Sequence, residues 1–320
     1  MRILITGASG FIGTNLMDYY LQLEDKCELL NLDILSPRNK CHENHWKKVD
    51  ICDYDTFEQV TFDFNPDYIV HLAARTDILG NKVEDYPANT IGVENLIKIC
   101  NKLPNLKKVL IASSMLVNKV GYEQKHILDY CPPNAYGESK VQTEIIVKNN
   151  KLNCDYNIIR PTSIWGPWFD TYRNFFEMIN SGMYFHFGNK KVYKTYGYVG
   201  NAVHEIANLL KIDTSAYKYE EKIFYIGDYE YYCIEDWANE IAKEYSRRIK
   251  RIPSFIIKCA ALTGDILQTL KISFPMTSFR LKNMQTDNRM NIERTKELIP
   301  NLPFDRITAN KNTIEWIKTH

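Results

Sequence analysis

Tyr136 and Lys140 lie four residues apart in Tyr136-Gly137-Glu138-Ser139-Lys140, at the head of a run with helical spacing through Val141, Ile145 and Val147. On a helix, side chains at i and i+4 share a face, so an ammonium would stand one turn from a phenol. A free phenol titrates near ~10, and a neighbouring positive charge draws that value toward neutral pH, which turns a tyrosine into an acid/base. In a chain with 21 tyrosines the pair is a weak signal by itself. Its meaning depends on the elements that would hold it.

The first of these is the strand-like run Arg2-Ile3-Leu4-Ile5, followed by Thr6-Gly7-Ala8-Ser9-Gly10-Phe11-Ile12-Gly13 and an amphipathic stretch with Leu16, Tyr19, Tyr20 and Leu23. A buried strand that enters a helix through a glycine turn is the setting a dinucleotide pyrophosphate requires. Gly7 permits the tight turn, Gly10 lets backbone N–H groups approach phosphate, and Gly13 allows close helix packing; Phe11 and Ile12 lie in the same loop. The spacing G-x-x-G-x-x-G differs by one residue from the G-x-G-x-x-G pattern. A second strand, Glu28 to Leu32, ends at Asp33, where a carboxylate accepts from ribose hydroxyls and repels a 2′-phosphate. NAD is therefore expected over NADP, and Arg38 and Lys40 read as solvated loop charges.

Strands and helices then alternate as in a doubly wound sheet. Lys48 to Ile51 reads as a strand, with Asp50 and Ile51 toward the adenine. Asp67 to Ala74 is a second, ending in Leu72, Ala73 and Ala74, where the backbone would lie against the cofactor. Asn89 to Cys100 is a helix that covers the sheet or a partner subunit. Lys108 to Ser114 is a strand whose serines emerge at the carboxyl end, where open α/β sheets place their chemistry.

The 320 residues allow a large core, and 40 Lys and Arg against 39 Asp and Glu argue against a strongly charged nucleic-acid surface. The eight cysteines show no paired spacing, and the seven histidines no metal spacing. Short apolar runs give no signal peptide and no membrane span. These features imply a cytoplasmic protein with reduced thiols, no metal, and neither nucleic acid nor membrane as partner.

Taken together, TGASGFIG (6–13), Asp33, Asp50-Ile51, HLAA (71–74), NTIGVENL (89–96), ASS (112–114), YGESK (136–140), RPTSIWGP (160–167) and YVGNAV (198–203) resemble the extended short-chain dehydrogenase/reductases, especially the nucleotide-sugar epimerase and dehydratase group. The resemblance spans nearly the whole chain. It implies a Rossmann-like doubly wound parallel sheet over residues 1–165, to which a segment near 195–212 returns. Residues 166–320 would form mainly a smaller mixed α/β substrate lobe. Ser114 becomes the serine that bonds the reacting sugar oxygen, Tyr136 the acid/base, and Lys140 the group that lowers its pKa and holds the nicotinamide ribose. Asn89 and Pro161 join the cofactor set. Trp165, Lys194 and Arg280 join Ser114 on the substrate side, the two cations facing the diphosphate of a nucleotide-sugar. A homodimer is expected.

Three departures narrow the function. Met115 and Leu116 stand where the 4,6-dehydratases carry an acidic pair, which argues against water elimination. Ser163 and Trp165 replace the usual Asn and Tyr, and Gly200-Asn201 follows Val199 where acids are common. The expected activity is an NAD-dependent nucleotide-sugar epimerase working through a keto-sugar. The alternatives are a reductase of a keto nucleotide-sugar and a silent NAD-binding sensor or scaffold. In the C-terminal half, helices are expected over 172–179, 201–212 and 234–247 and a strand over 221–226. The tyrosines between 225 and 232 read as packing rather than base stacking.

Overall fold

The computed structural model describes residues 1–23, 27–188, 190–269, 274 and 276–320. In the first half, strands β1 (Arg2–Thr6), β2 (Glu28–Asp33), β3 (Trp46–Lys48), β4 (Tyr68–His71), β5 (Lys108–Ala112) and β6 (Asp155–Pro161) alternate with helices α1 (Phe11–Leu21), α2 (Tyr54–Phe64), α3 (Pro87–Cys100) and α4 (Ala135–Asn149). The second half runs β7 (Ser163–Trp165), α5 (Asp170–Asn180), β8 (Phe185–Phe187), β9 (Tyr193–Lys194), β10 (Tyr196–Tyr198) and α6 (Val199–Leu209). It continues through β11 (Ile223–Ile226), β12 (Tyr232–Cys233), α7 (Ile234–Glu244), β13 (Lys250–Ile252), α8 (Ser254–Thr269), α9 (Ser278–Met284), α10 (Glu293–Leu298) and α11 (Arg306–Thr319).

Seven strands form one parallel sheet in the order β11-β6-β5-β4-β1-β2-β3. Its strands are continuous apolar runs because helices cover both faces. In β1, Ile3 and Ile5 join the core under α1 and α6, while Leu4 joins the core under α2, α3 and α4. This is the Rossmann-like α/β fold expected from the sequence. The strand order reverses between β1 and β4, the switch point where such sheets bind their ligands.

The boundaries shift in ways that matter locally. The strand expected over 48–51 is Trp46–Lys48, which leaves Asp50 and Ile51 in the turn beyond it. The strand expected over 67–74 stops at His71, so Leu72 to Ala74 run free of the ladder. Of the three small sheets, β10-β7 and β13-β8 are parallel and β12-β9 antiparallel, all assembled from the later chain. The strand expected over 221–226 is β11, and it extends the large sheet beyond β6.

Candidate active site

The glycine loop is built around contact with β4. Gly7 has φ +74°, and a Cβ there would stand 2.5 Å from Ala73 N. That approach excludes any side chain. A Cβ on Gly13 would fall 2.4 Å from Ala8 Cα, so α1 can sit against the loop only with glycine there. Gly10 is the N-cap of α1 with no side-chain cap, and the first turn, which contains Phe11 and Ile12, holds no acid. Its N–H groups and helix dipole stay available to an anion. Asp33 ends β2 beside this loop, accepting from Ser9 N at 3.1 Å and Leu35 N at 3.0 Å. Burial raises its pKa, with those backbone bonds and Arg38 opposing. This cradle fits a dinucleotide: it has room that a Cβ would fill, uncapped N–H groups for pyrophosphate and a carboxylate at the ribose position.

Arg38 is no free loop charge. Its Nη1 donates to the carbonyl of Trp168 at 2.7 Å, while Phe11 stacks on Phe169 with ring centroids 4.6 Å apart. The chain thus crosses the glycine loop as it enters the second half.

At the carboxyl end of β5, Ser114 caps a short 3-10 turn, Met115–Val117, by accepting from Leu116 N at 3.1 Å. It also lies close enough to the Tyr136 phenol to favour its ionised form. Tyr136 lies in the first turn of α4, started by Asn134, whose side chain accepts from Gly137 N at 2.9 Å. Gly137 is required there, since a Cβ would meet Leu116 O at 2.4 Å. Lys140 lies one turn on, and both residues are buried.

One expectation is corrected by this geometry. Lys140 Nζ donates to Ala112 O at 2.9 Å, and the Tyr136 pKa is raised rather than lowered. Burial causes the rise, with the nearby Ser114 opposing it. The same burial takes Lys140 down to about 8, with Glu144 opposing.

Glu144, one turn below Lys140, was not marked by the sequence reasoning; its place at i+8 from Tyr136 was the available signal. It is fully buried and receives four donors: Arg160 Nε at 2.8 Å, Arg160 Nη2 at 2.7 Å, Ser113 Oγ at 2.6 Å and Tyr130 Oη at 2.8 Å. Arg160, also fully buried, spends its remaining donors on Tyr225 Oη and Ile127 O. Asn89 is consumed in the same manner. Its amide bonds Arg75 N, Arg75 O and Ser139 Oγ, fastening the loop after β4 to α4. It holds the site in shape with no side-chain donor left over.

Trp165 is a second correction. It has no exposed surface and packs in an aromatic core with Phe176, Tyr198, Tyr232 and Trp237. The β7–β10 pairing turns it inward, so it cannot wall a sugar pocket. The neighbouring Ser163 Oγ instead reaches Met115 Sδ at 3.8 Å, one residue past Ser114. Pro161 ends β6 opposite Ile226, and exposed Asp50 accepts from Cys52 N at 2.9 Å within its own turn, over buried Ile51. Lys194 donates to Asn283 O at 2.9 Å, tying β9 to α9, which also carries exposed Arg280. Tyr225 and Tyr232 are buried, which agrees with packing. All eight cysteines are free thiols, and no group of His, Cys, Asp and Glu among the described residues could hold a metal.

A parallel sheet in this order, with a glycine cradle at its switch point and a Ser–Tyr–Lys set at its carboxyl edge, defines an NAD-binding protein of the extended short-chain type. The model of the NAD dependent epimerase/dehydratase family matches residues 3–214, and the chain belongs to that family. An N-acetyl-α-D-glucosaminyl-diphospho-ditrans,octacis-undecaprenol 4-epimerase of Escherichia coli O157:H7 is 30% identical over 68% of this chain and 65% of its own length. A GDP-6-deoxy-D-talose 4-dehydrogenase of Aggregatibacter actinomycetemcomitans is 31% identical over 52% of this chain and 54% of its own. The chain thus spans between half and two thirds of these curated relatives. Among solved structures, a Thermotoga maritima UDP-glucose 4-epimerase with UDP-glucose aligns over 100% of this chain and 99% of its own at TM-score 0.74 and 19% identity. The cofactor of the family is NAD, and a Bacillus cereus UDP-glucuronic acid 4-epimerase of the same fold, 18% identical with TM-score 0.71 over 100% of this chain and 99% of its own, was solved with it.

Proposed function

We propose that this chain is an NAD-dependent nucleotide-sugar epimerase. The observation that carries the reading is Ser114, at the carboxyl end of β5, beside the Tyr136 phenol, with Lys140 buried one turn on along α4 and the thioether of Met115 next in the chain. Ser114 and Tyr136 offer two oxygens to one sugar hydroxyl, and Tyr136 takes its proton as the alcohol becomes a ketone. Because the resting phenol is raised, proton uptake needs added positive charge, which Lys140 supplies while it is protonated. NAD, held by the glycine cradle and Asp33, would supply a reversible hydride acceptor and a further positive charge. A thioether cannot shuttle the protons that elimination demands, which disfavours a dehydratase.

In this reading residues 1–165, with 195–212, serve the cofactor and 166–320 mainly the sugar; β11 belongs with the first group because it pairs with β6. Lys194 and Arg280 face the diphosphate, and the enzyme works as a cytoplasmic homodimer. The talose dehydrogenase likeness favours a second reading, a reductase of a keto nucleotide-sugar.

Purified protein is incubated with a panel of nucleotide-sugars and one polyprenyl-diphosphate sugar, without added cofactor. Epimerised product with constant nicotinamide absorbance is expected. Stoichiometric oxidation of added NADH by a keto-sugar would establish the reductase instead. Tyr136→Phe should lower turnover by about 10²- to 10⁴-fold while NAD binding survives. Near-full activity would remove Tyr136 from its role.

A further inference from the structure

Helix α8 carries an apolar stripe exposed to solvent. Phe255, Leu262 and Ile266 are 66%, 60% and 64% exposed, and with exposed Cys259 they recur at i, i+4, i+7 and i+11 along one side. The other side is already used, since Ala261 and Gly264 are buried. Phe279, at the head of α9, is 70% exposed. So much apolar surface on two adjoining helices is a docking face rather than scattered exposure.

The charges around it identify the partner. Residues 245–284 contain eight of the chain's 40 basic residues and one of its 39 acids, Asp265. Arg247, Arg248 and Lys250 immediately precede α8 and are exposed; Arg251, beside them, is paired with Glu235. A cleft of about 360 Å³ between α8 and α9 brings Lys258 and Lys282 against Leu262 and Leu281, so cations border the stripe itself. The near-neutral total conceals this patch.

We propose that the α8–α9 face docks on the surface of a bilayer containing anionic lipid. The apolar side chains enter the boundary between headgroups and acyl chains, and the flanking cations meet lipid phosphates. A second copy of this chain is a poor occupant, because it would bring its own cations against these. Nucleic acid would use the charge and leave the stripe in water. No helix among the described residues is long and apolar enough to cross a membrane, so the contact is one-sided. This departs from the expectation of no membrane partner, and it stands independently of the epimerase reading.

The test is co-sedimentation of the full chain with vesicles of phosphatidylcholine alone or with about 30 mol % phosphatidylglycerol. Binding to the anionic vesicles at least about tenfold tighter, and weakened by high salt, is expected. Phe255→Ser with Leu262→Ser, and separately Arg247→Glu with Arg248→Glu, should each reduce it about tenfold while NAD affinity, melting temperature and elution volume stay unchanged. No sedimentation with anionic vesicles, or equal sedimentation with neutral ones, would overturn the proposal. A shift of either variant to a smaller assembly would also overturn it, by showing the face to be a contact between copies.

Discussion

Two of the buried charge pairs among the described residues, Glu144–Arg160 and Glu205–Asp228, are treated in opposite ways. Below α4, Glu144 meets Arg160 in a two-pronged pair and takes two further donors; Glu144 outweighs the burial that would lower the Arg160 pKa, and raises it. Beside β11, Glu205 is as deeply buried but accepts one described hydrogen bond, from Gly227 N at 2.9 Å, and its Oε1 has no partner. Its neighbour Asp228 accepts from Tyr198 N, Asn201 Nδ2 and the Tyr232 hydroxyl. Burial raises Glu205 well above the usual carboxylate range, helped by Asp228, and burial takes Asp228 up to about 6. Both glutamates are fully buried; Glu144 faces an opposite charge and four donors, whereas Glu205 faces a second carboxylate and leaves one oxygen unpaired. The donor-rich pair sits under the candidate catalytic helix, where a fixed charge one turn from Lys140 sustains that ammonium.

The contrast can be broken most severely at Arg160. Arg160→Met leaves Glu144 buried without its counter-ion and should cost about 3–5 kcal/mol in urea unfolding. Adding Glu144→Leu should recover at least half, because removing both charges is far cheaper than stranding one. A silent single variant would mean that the pair is not the closed unit described.

Lys140 sharpens the comparison next. Its folded pKa of about 8 lies below the ordinary 10.5, so between those values the unfolded chain binds more protons and stability rises with pH. Below pH 8 the buried ammonium costs the fold on the order of 3 kcal/mol. Lys140→Met should therefore raise the melting temperature at neutral pH while turnover is lost. A lower melting temperature would show that the bond to Ala112 O outweighs the desolvation.

The smallest effect is expected at Glu205. With its folded pKa raised, its stabilising contribution is complete below the ordinary 4.5 and is lost as pH rises through the folded value. Glu205→Gln cannot ionise, so its stability should fall less than that of the native chain as pH rises above the ordinary 4.5. Parallel melting curves across that range would place the charge elsewhere.

The sheet and its glycine turn were legible in the sequence because local rules govern them. Apolar runs of strand length specify β1, β2 and β5, and Gly7 and Gly13 stand where a Cβ would strike backbone. The Tyr136–Lys140 spacing was readable for the same reason, since one helix sets it. What escaped notice depends on contacts between distant segments. Arg160 on β6 meets Glu144 on α4, and Asn89 reaches Ser139 across 50 positions. Trp165 looked like a pocket wall until the pairing of β7 with β10 turned it inward. The basic stretch around α8 was hidden by the overall charge balance.

The crossing of the chain over the glycine loop also gives the protein a built-in optical reporter. Trp168, held at φ +71° with its carbonyl on Arg38, precedes the ring that stacks on Phe11, and its indole lies 5.4 Å from that of Trp316. Trp165 and Trp237 are sealed in the core, and the remaining indole, half-buried Trp46, donates to the carbonyl of Asp33 at 3.2 Å beside the same cradle. Light emitted by the half-buried indole pair thus comes from beside the cradle, and a change in that emission on adding NAD would follow occupancy without a label.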